Sequence, residues 1–209
     1  MQSTTPSLHS SEAHVWHWTA GDESDDSVAL LASDELARAG AFRRAADRAR
    51  FIGNSAIVRR ILARYTGEPA RTIRLRRSAH RKPSVAGHAL FFSLSHSGDE
   101  SALAVTQAGE IGIDIEQRRE LPEIDVLIRR YLPLGDRAIA RHDRTDAFFR
   151  WWTEAEAYGK ATGNGMLAET RVARRDLRFT SLFFERPPDI IGTVVVPRCV
   201  EVVRHLNYA

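Results

Sequence analysis

The chain has 209 residues, 43% of them hydrophobic and 27% charged, with a formal net charge of +3 and a single cysteine, Cys199. That length suits one large domain or two small ones. No apolar run spans a bilayer, and one cysteine excludes an internal disulfide and a cysteine metal cluster.

Residues 1–13 lack the basic and apolar blocks of a signal peptide and read as a flexible leader. Residues 14–19 alternate as a first strand. A polar, acidic loop is expected over 21–27. Ser33 with Asp34 and Glu35 marks a helix start, because acids suit the positive end of the helix dipole. From Phe42 onward, Ala45, Ala49, Ile52, Ala56, Ile57, Ile61 and Tyr65 recur at helical spacing until Gly67 and Pro69 stop the run. Residues 71–77 alternate again, and 78–88 form a turn-rich connection. Strands are expected over 89–94 and 101–106, around a polar turn at 97–100. A seam between two halves falls near 107–111. Helices follow over 121–130, 137–142 and 146–161, the last ended by Gly163. Short strands are expected near 177–179, 181–185, 192–196 and 200–203. Each half reads as strand, helix and several strands.

The stretch Gly112-Ile113-Asp114-Ile115-Glu116 alternates strand formers with acids. On a strand the isoleucines share one face, and Gly112, Asp114 and Glu116 share the other. Carboxylates two positions apart, about 6.6 Å along the chain, can converge on one hard cation, and the glycine leaves room for a ligand. Mg²⁺ is typically held by one or two carboxylates plus substrate phosphates. A half-buried strand with solvated acids fits the pentapeptide as well.

Trp152, Glu156 and Lys160 stack on one face of the late helix. Glu156 can be a third metal ligand there and Lys160 a mobile cation for a phosphate. A core tryptophan beside a helix ion pair accounts for the same spacing. Ser95-His96-Ser97 follows an apolar strand. Strand neighbours point to opposite sides, and no G-x-S-x-G elbow is present, so a Ser-His hydrolase is excluded on geometry. A strand-end turn binding a phosphate is the better use, and an ordinary polar turn fits the segment as well. The arginine-rich charge favours anionic partners, whether nucleic acid, a phosphorylated cofactor or an acidic protein. The basic run 71–82 lacks the interleaved aromatics of a nucleic-acid stacking platform.

Taken in order, Arg81-Lys82-Pro83, FSLSHS (residues 92–97), GIDIE (112–116) and WTEAEAYGKATGNG (152–165) resemble the 4′-phosphopantetheinyl transferases of the Sfp type. The resemblance implies an α+β fold of two similar lobes in one chain, pseudo-dimeric, each with a small antiparallel sheet packed on a long helix. The lobes would cover residues 14–108 and 109–209, with a metal site at their interface. It implies transfer of the phosphopantetheine arm of coenzyme A to a serine of an apo acyl or peptidyl carrier protein, with Mg²⁺, releasing adenosine 3′,5′-bisphosphate. Metal ligands map onto Asp114, Glu116 and Glu156. Lys160 falls on a phosphate-contacting lysine, His96 on the histidine that meets the 3′-phosphate, and Lys82 on a nearby basic contact. Ser95 joins the coenzyme A set, with Arg50 and Arg59 of the long helix. Glu156 is the favoured base. Asp136, which follows Tyr131-Leu132, is a second. The chain is expected to act as a cytoplasmic monomer, with neither nucleic acid nor membrane as partner.

Three positions depart from the family pattern. Ser93 replaces an asparagine, Ala155 replaces a lysine, and Asp136 is one methylene shorter than the usual glutamate. Ala155 leaves open a second reading, a non-catalytic relative that binds coenzyme A or a nucleotide.

Overall fold

The computed structural model describes residues 7–21, 23–77, 83–132, 143–163 and 178–208. Strand β1 (Glu12–Thr19) starts two residues before the expected one. A short helix α1 (Asp25–Val28) forms where a loop is expected, because the Ser24 hydroxyl caps it by accepting from the Ser27 amide. Helix α2 (Ser33–Gly40) begins as the acids predict, with Glu35 accepting from the Ala32 amide at 2.9 Å. Helix α3 (Ala45–Thr66) ends at Gly67. The expected strand over 71–77 is only partly one. A 3-10 turn (Ala70–Thr72) precedes β2 (Leu75–Arg77), which pairs with β3 (Pro83–Val85). Then come β4 (Phe91–Ser97), β5 (Glu100–Thr106) and β6 (Gly112–Gln117).

The second half supplies α4 (Ile124–Tyr131), α5 (Arg144–Thr162), β7 (Phe179–Arg186), β8 (Ile190–Pro197) and β9 (Val202–Asn207). The helix expected over 137–142 lies outside the described residues. Asp143 caps α5 by accepting from the Asp146 amide. Gly163 ends it with φ 79°, a left-handed conformation that glycine adopts without a Cβ clash.

Among the described residues, six strands form one sheet in the order β2-β3-β4-β5-β1-β9, and three form a second in the order β6-β8-β7. The sheets are unequal, and the last strand of the chain lies parallel to the first, with Ala13 opposite Val203. The C-terminal residues therefore complete the first sheet, and Arg204 ties back to Glu12 at 2.8 Å. The architecture is mixed α+β.

Period-two alternation sorts the core. Trp16, Trp18, Phe92, Leu103 and Val105 face α3, where Ile57, Ile61 and Leu62 meet them. Ala13, Val15, Ala102 and Ala104 face the other way and pack on Ile113, Ile115, Val194 and Val196 of the second sheet. The far side of that sheet carries α5, through Ala157, Tyr158 and Ala161 against Val195. The layers thus run α3, large sheet, small sheet, α5. The strand carrying both acids lies between the large sheet and α5.

Candidate active site

Gly112 sets how close β6 comes to α5. A Cβ built there would lie 1.8 Å from the Ala157 carbonyl oxygen and 2.7 Å from the Ala161 amide nitrogen. The sequence reading that this glycine leaves room for a ligand is therefore corrected: the space is filled by helix backbone. The close approach carries Lys160 onto Asp114. Its Nζ donates to Asp114 Oδ1 at 2.7 Å and to the Ile113 carbonyl at 3.1 Å. Arg118, just past β6, fixes the other end of α5 with a bidentate pair to Asp146 at 2.7 and 2.9 Å.

Among the described residues β6 pairs with a strand, β8, on one edge only. Its other edge meets β4 through side chains. The Ile113, Ile115 and Gln117 amides donate to the hydroxyls of Ser93, Ser95 and Ser97 at 3.2, 3.2 and 2.9 Å. Ser95 then donates its proton to Asp114 Oδ1 at 2.8 Å, and Ser97 donates its proton to Glu116 Oε2 at 2.9 Å. Arg119 adds a second donor to Glu116 Oε2 at 2.8 Å. Ser97 is thus the last residue of β4, and the expected turn over 97–100 narrows to Gly98 and Asp99. Ser95 is buried with its hydroxyl engaged on both sides. His96 lies on the opposite face and is exposed, as the strand argument against a Ser-His pair requires.

Asp114 is nearly buried, and burial pushes its carboxyl above the ordinary value, with Lys160 pulling against that shift. Glu156, half-buried one turn before Lys160, is also raised, first by burial and then by repulsion from Asp114. Glu116 repels both. These three carboxylates offer hard oxygen ligands of the kind magnesium takes, and a cation among them relieves their mutual repulsion. Among the described residues no three acidic, histidine or cysteine side chains already converge at chelating distance. Asp114 and Glu116 are each held instead by a serine and a cation. Trp152, on the same stripe, packs edge-on against Tyr131 at 5.6 Å in the cluster under α4. Ala155 is buried in that cluster.

The other face of β4 opens onto a cavity of about 370 Å³ lined by Arg38, Phe42, Arg50, Phe51, Asn54 and His96, among others. Cations and aromatic rings together suit an anionic aromatic ligand such as a nucleotide. Arg50 lies at its rim, paired with Asp99 at 2.5 Å. Arg59 is not brought to this cavity. It is 1% exposed, and its guanidinium is spent on Glu35 at 2.7 Å and on the carbonyls of Ala70 and Ile73. A helical arginine at that position braces α2 and the 3-10 turn instead of meeting a ligand. Lys82 and Asp136 lie outside the described residues. Lys82 and Lys160 are the only lysines of the chain.

The sequence reading gave Ser97 a phosphate to bind where the structure gives it Glu116, and it missed Arg119 and the cavity residues Arg38, Phe42 and Phe51. The alternation of Ser93, Ser95 and Ser97 was the available signal for the serine. The cavity has no local signature, since α2, the connection after it, α3 and β4 assemble it from residues far apart in sequence.

Residues 110–191 match the model of the 4′-phosphopantetheinyl transferase superfamily, and residues 16–108 match that of the 4′-phosphopantetheinyl transferase N-terminal region. Among curated relatives, the 4′-phosphopantetheinyl transferase HetI of Nostoc sp. is 34% identical over 79% of this chain and 76% of its own length. The transferase AcpT of Salmonella typhimurium is 40% identical over 37% of this chain and 43% of its own. The human L-aminoadipate-semialdehyde dehydrogenase-phosphopantetheinyl transferase is 28% identical over 72% of this chain and 54% of its own.

Proposed function

The chain belongs to the 4′-phosphopantetheinyl transferase superfamily and is an enzyme of that class, and on that premise we propose that it moves the 4′-phosphopantetheine arm of coenzyme A onto a serine of an apo acyl or peptidyl carrier protein. The observation that carries this reading is the pairing of buried Asp114 with partly exposed Lys160, with Glu116 and Glu156 in electrostatic reach. It places three carboxylates and one cation where β6 meets α5.

In the reaction, the carrier serine oxygen bonds to the phosphorus that bears the pantetheine arm. The anhydride P–O bond breaks, and adenosine 3′,5′-bisphosphate leaves with the electron pair. Asp114, Glu116 and Glu156 would hold Mg²⁺, which when bound neutralises pyrophosphate charge. Glu156 takes the serine proton, directly or through a water. Lys160 offers its ammonium to the leaving bisphosphate. The nucleotide end lies in the cavity beside His96, Arg50 and the two phenylalanines. The division into two lobes, with the metal site at their interface, belongs to the same proposal.

Among the described residues no helix is long and apolar enough to cross a membrane. The positive net charge suits an acidic carrier surface. Intact-mass spectrometry of apo carriers incubated with the protein, coenzyme A and Mg²⁺ tests the reading. A phosphopantetheine adduct that disappears with chelator is expected. Coenzyme A binding by calorimetry with no adduct on any carrier of a broad panel would favour a non-catalytic binder.

A further inference from the structure

Three rungs join β4 to β6, and they are not equivalent. In each rung a serine accepts the amide of the residue twenty positions later. In the second and third rungs the same hydroxyl also donates to the carboxylate of the residue nineteen positions later, Asp114 or Glu116. In the first rung that position is Gly112, so Ser93 has no acid to hold.

A hydroxyl has one proton. With its acceptor side fixed by a β6 amide, Ser95 or Ser97 can aim that proton in only one direction. It pins one oxygen, Asp114 Oδ1 or Glu116 Oε2. Lys160 and Arg119 bond to those same oxygens. Among the described residues no bond engages Asp114 Oδ2 or Glu116 Oε1. The carboxylates are thus clamped on one oxygen and open on the other. Both serines are at least 90% buried, which keeps water from competing for the clamp.

The geometry points to Ser95 and Ser97 as positioning residues that orient Asp114 and Glu116 for a divalent cation, with Ser93 as a purely structural rung of the same ladder. This rests on the metal reading above. Partners that orient metal ligands change metal affinity by roughly 10- to 100-fold when removed. The amide contact is common to all three serines, so the difference between rungs isolates the clamp.

The test compares Ser93→Ala, Ser95→Ala and Ser97→Ala with wild type and with Asp114→Ala. Free Mn²⁺ is titrated by electron paramagnetic resonance, and thermal stability is read in parallel. All three serine variants should lose stability, Ser95→Ala and Ser97→Ala more than Ser93→Ala, because each also strips a hydrogen bond from a carboxylate. Ser95→Ala and Ser97→Ala should weaken Mn²⁺ binding about 10-fold or more, while Ser93→Ala stays within about twofold of wild type. Should Ser95→Ala fail to fold, Ser95→Cys keeps the volume with a poor donor, and Ser95→Thr restores the hydroxyl and should restore affinity. Equal Mn²⁺ affinities across the serine variants, with Asp114→Ala impaired, overturn the positioning role alone. A wild-type protein that binds no Mn²⁺, or an Asp114→Ala variant that binds as well as wild type, overturns the metal reading and this inference with it.

Discussion

Replacing Gly112 by alanine tests the contact on which the site is built. The new Cβ would meet the Ala157 carbonyl oxygen at 1.8 Å, whereas ordinary contact begins near 3.4 Å. The obstacle is helix backbone, which has no rotamer to escape into. Helix α5 must retreat by about 1.6 Å or β6 must bend, a case of overpacking that costs typically 1–3 kcal/mol. Rigid backbone on one side puts this case at the upper end, about 3 kcal/mol. For a chain of this size that lowers Tm by about 6–12 °C. Glu156 and Lys160 ride on the displaced helix, so transfer should fall further than stability does. A misplacement of about 1 Å costs about 100-fold in rate. Calorimetric unfolding and the adduct-forming rate read the two effects on the same preparation. A Gly112→Ala protein with unchanged Tm and wild-type rate would refute the packing of β6 on α5 and the placement of Lys160 that follows from it.

Arg59→Ala should destabilise the fold by about 3 kcal/mol or more, since it strips a buried cation from Glu35. The KM for coenzyme A of the folded protein should stay unchanged, and a raised KM without loss of Tm would return Arg59 to the ligand. Arg50→Ala should do the reverse: its exposed pair with Asp99 contributes little to stability, while the KM for coenzyme A should rise about 10-fold through loss of a charged contact; an unchanged KM would remove Arg50 from the cavity's ligand set. Burial holds the His17 imidazole down to about 3, with Arg186 and His205 adding repulsion. Its folded value lies below the unfolded one near 6.5, so its contribution to stability is intact above about pH 6.5 and drains away as pH falls toward 3, at about 1.4 kcal/mol per pH unit. His14 and His205 are held down by burial as well, so urea titrations between pH 7 and pH 4 should show at least that slope, and His17→Leu should reduce it; equal slopes would show that His17 does not titrate with unfolding.

Much of the site was legible because it depends on short-range periodicity. Alternation alone put Asp114 and Glu116 on one face of β6 and the isoleucines on the other, and the structure keeps that division. Helical spacing put Glu156 and Lys160 on one side of α5. What escaped depends on distant partners. The role of Gly112 could be read as room or as contact until the element above it was known. Arg59 looks like its arginine neighbours on α3, and only α2 and the 3-10 turn that cover it make it structural. β9 pairs with β1, and parallel pairing across 190 residues leaves no local mark in the sequence. The alternation of Ser93, Ser95 and Ser97 was visible, but it suggested a phosphate-binding turn, because nothing local shows that these hydroxyls stand in for a neighbouring strand's carbonyls opposite β6.

The central claim is that Asp114, with Glu116 and Glu156, holds the cation that transfer requires. Asp114→Asn keeps the side chain's size and its bond from Ser95 while removing the charge. The initial rate of adduct formation on an apo carrier, followed by intact-mass spectrometry at saturating coenzyme A and Mg²⁺, measures the consequence. The account predicts transfer abolished in a protein that still unfolds cooperatively, with Tm near that of wild type. A folded Asp114→Asn protein that modifies the carrier at the wild-type rate would contradict it.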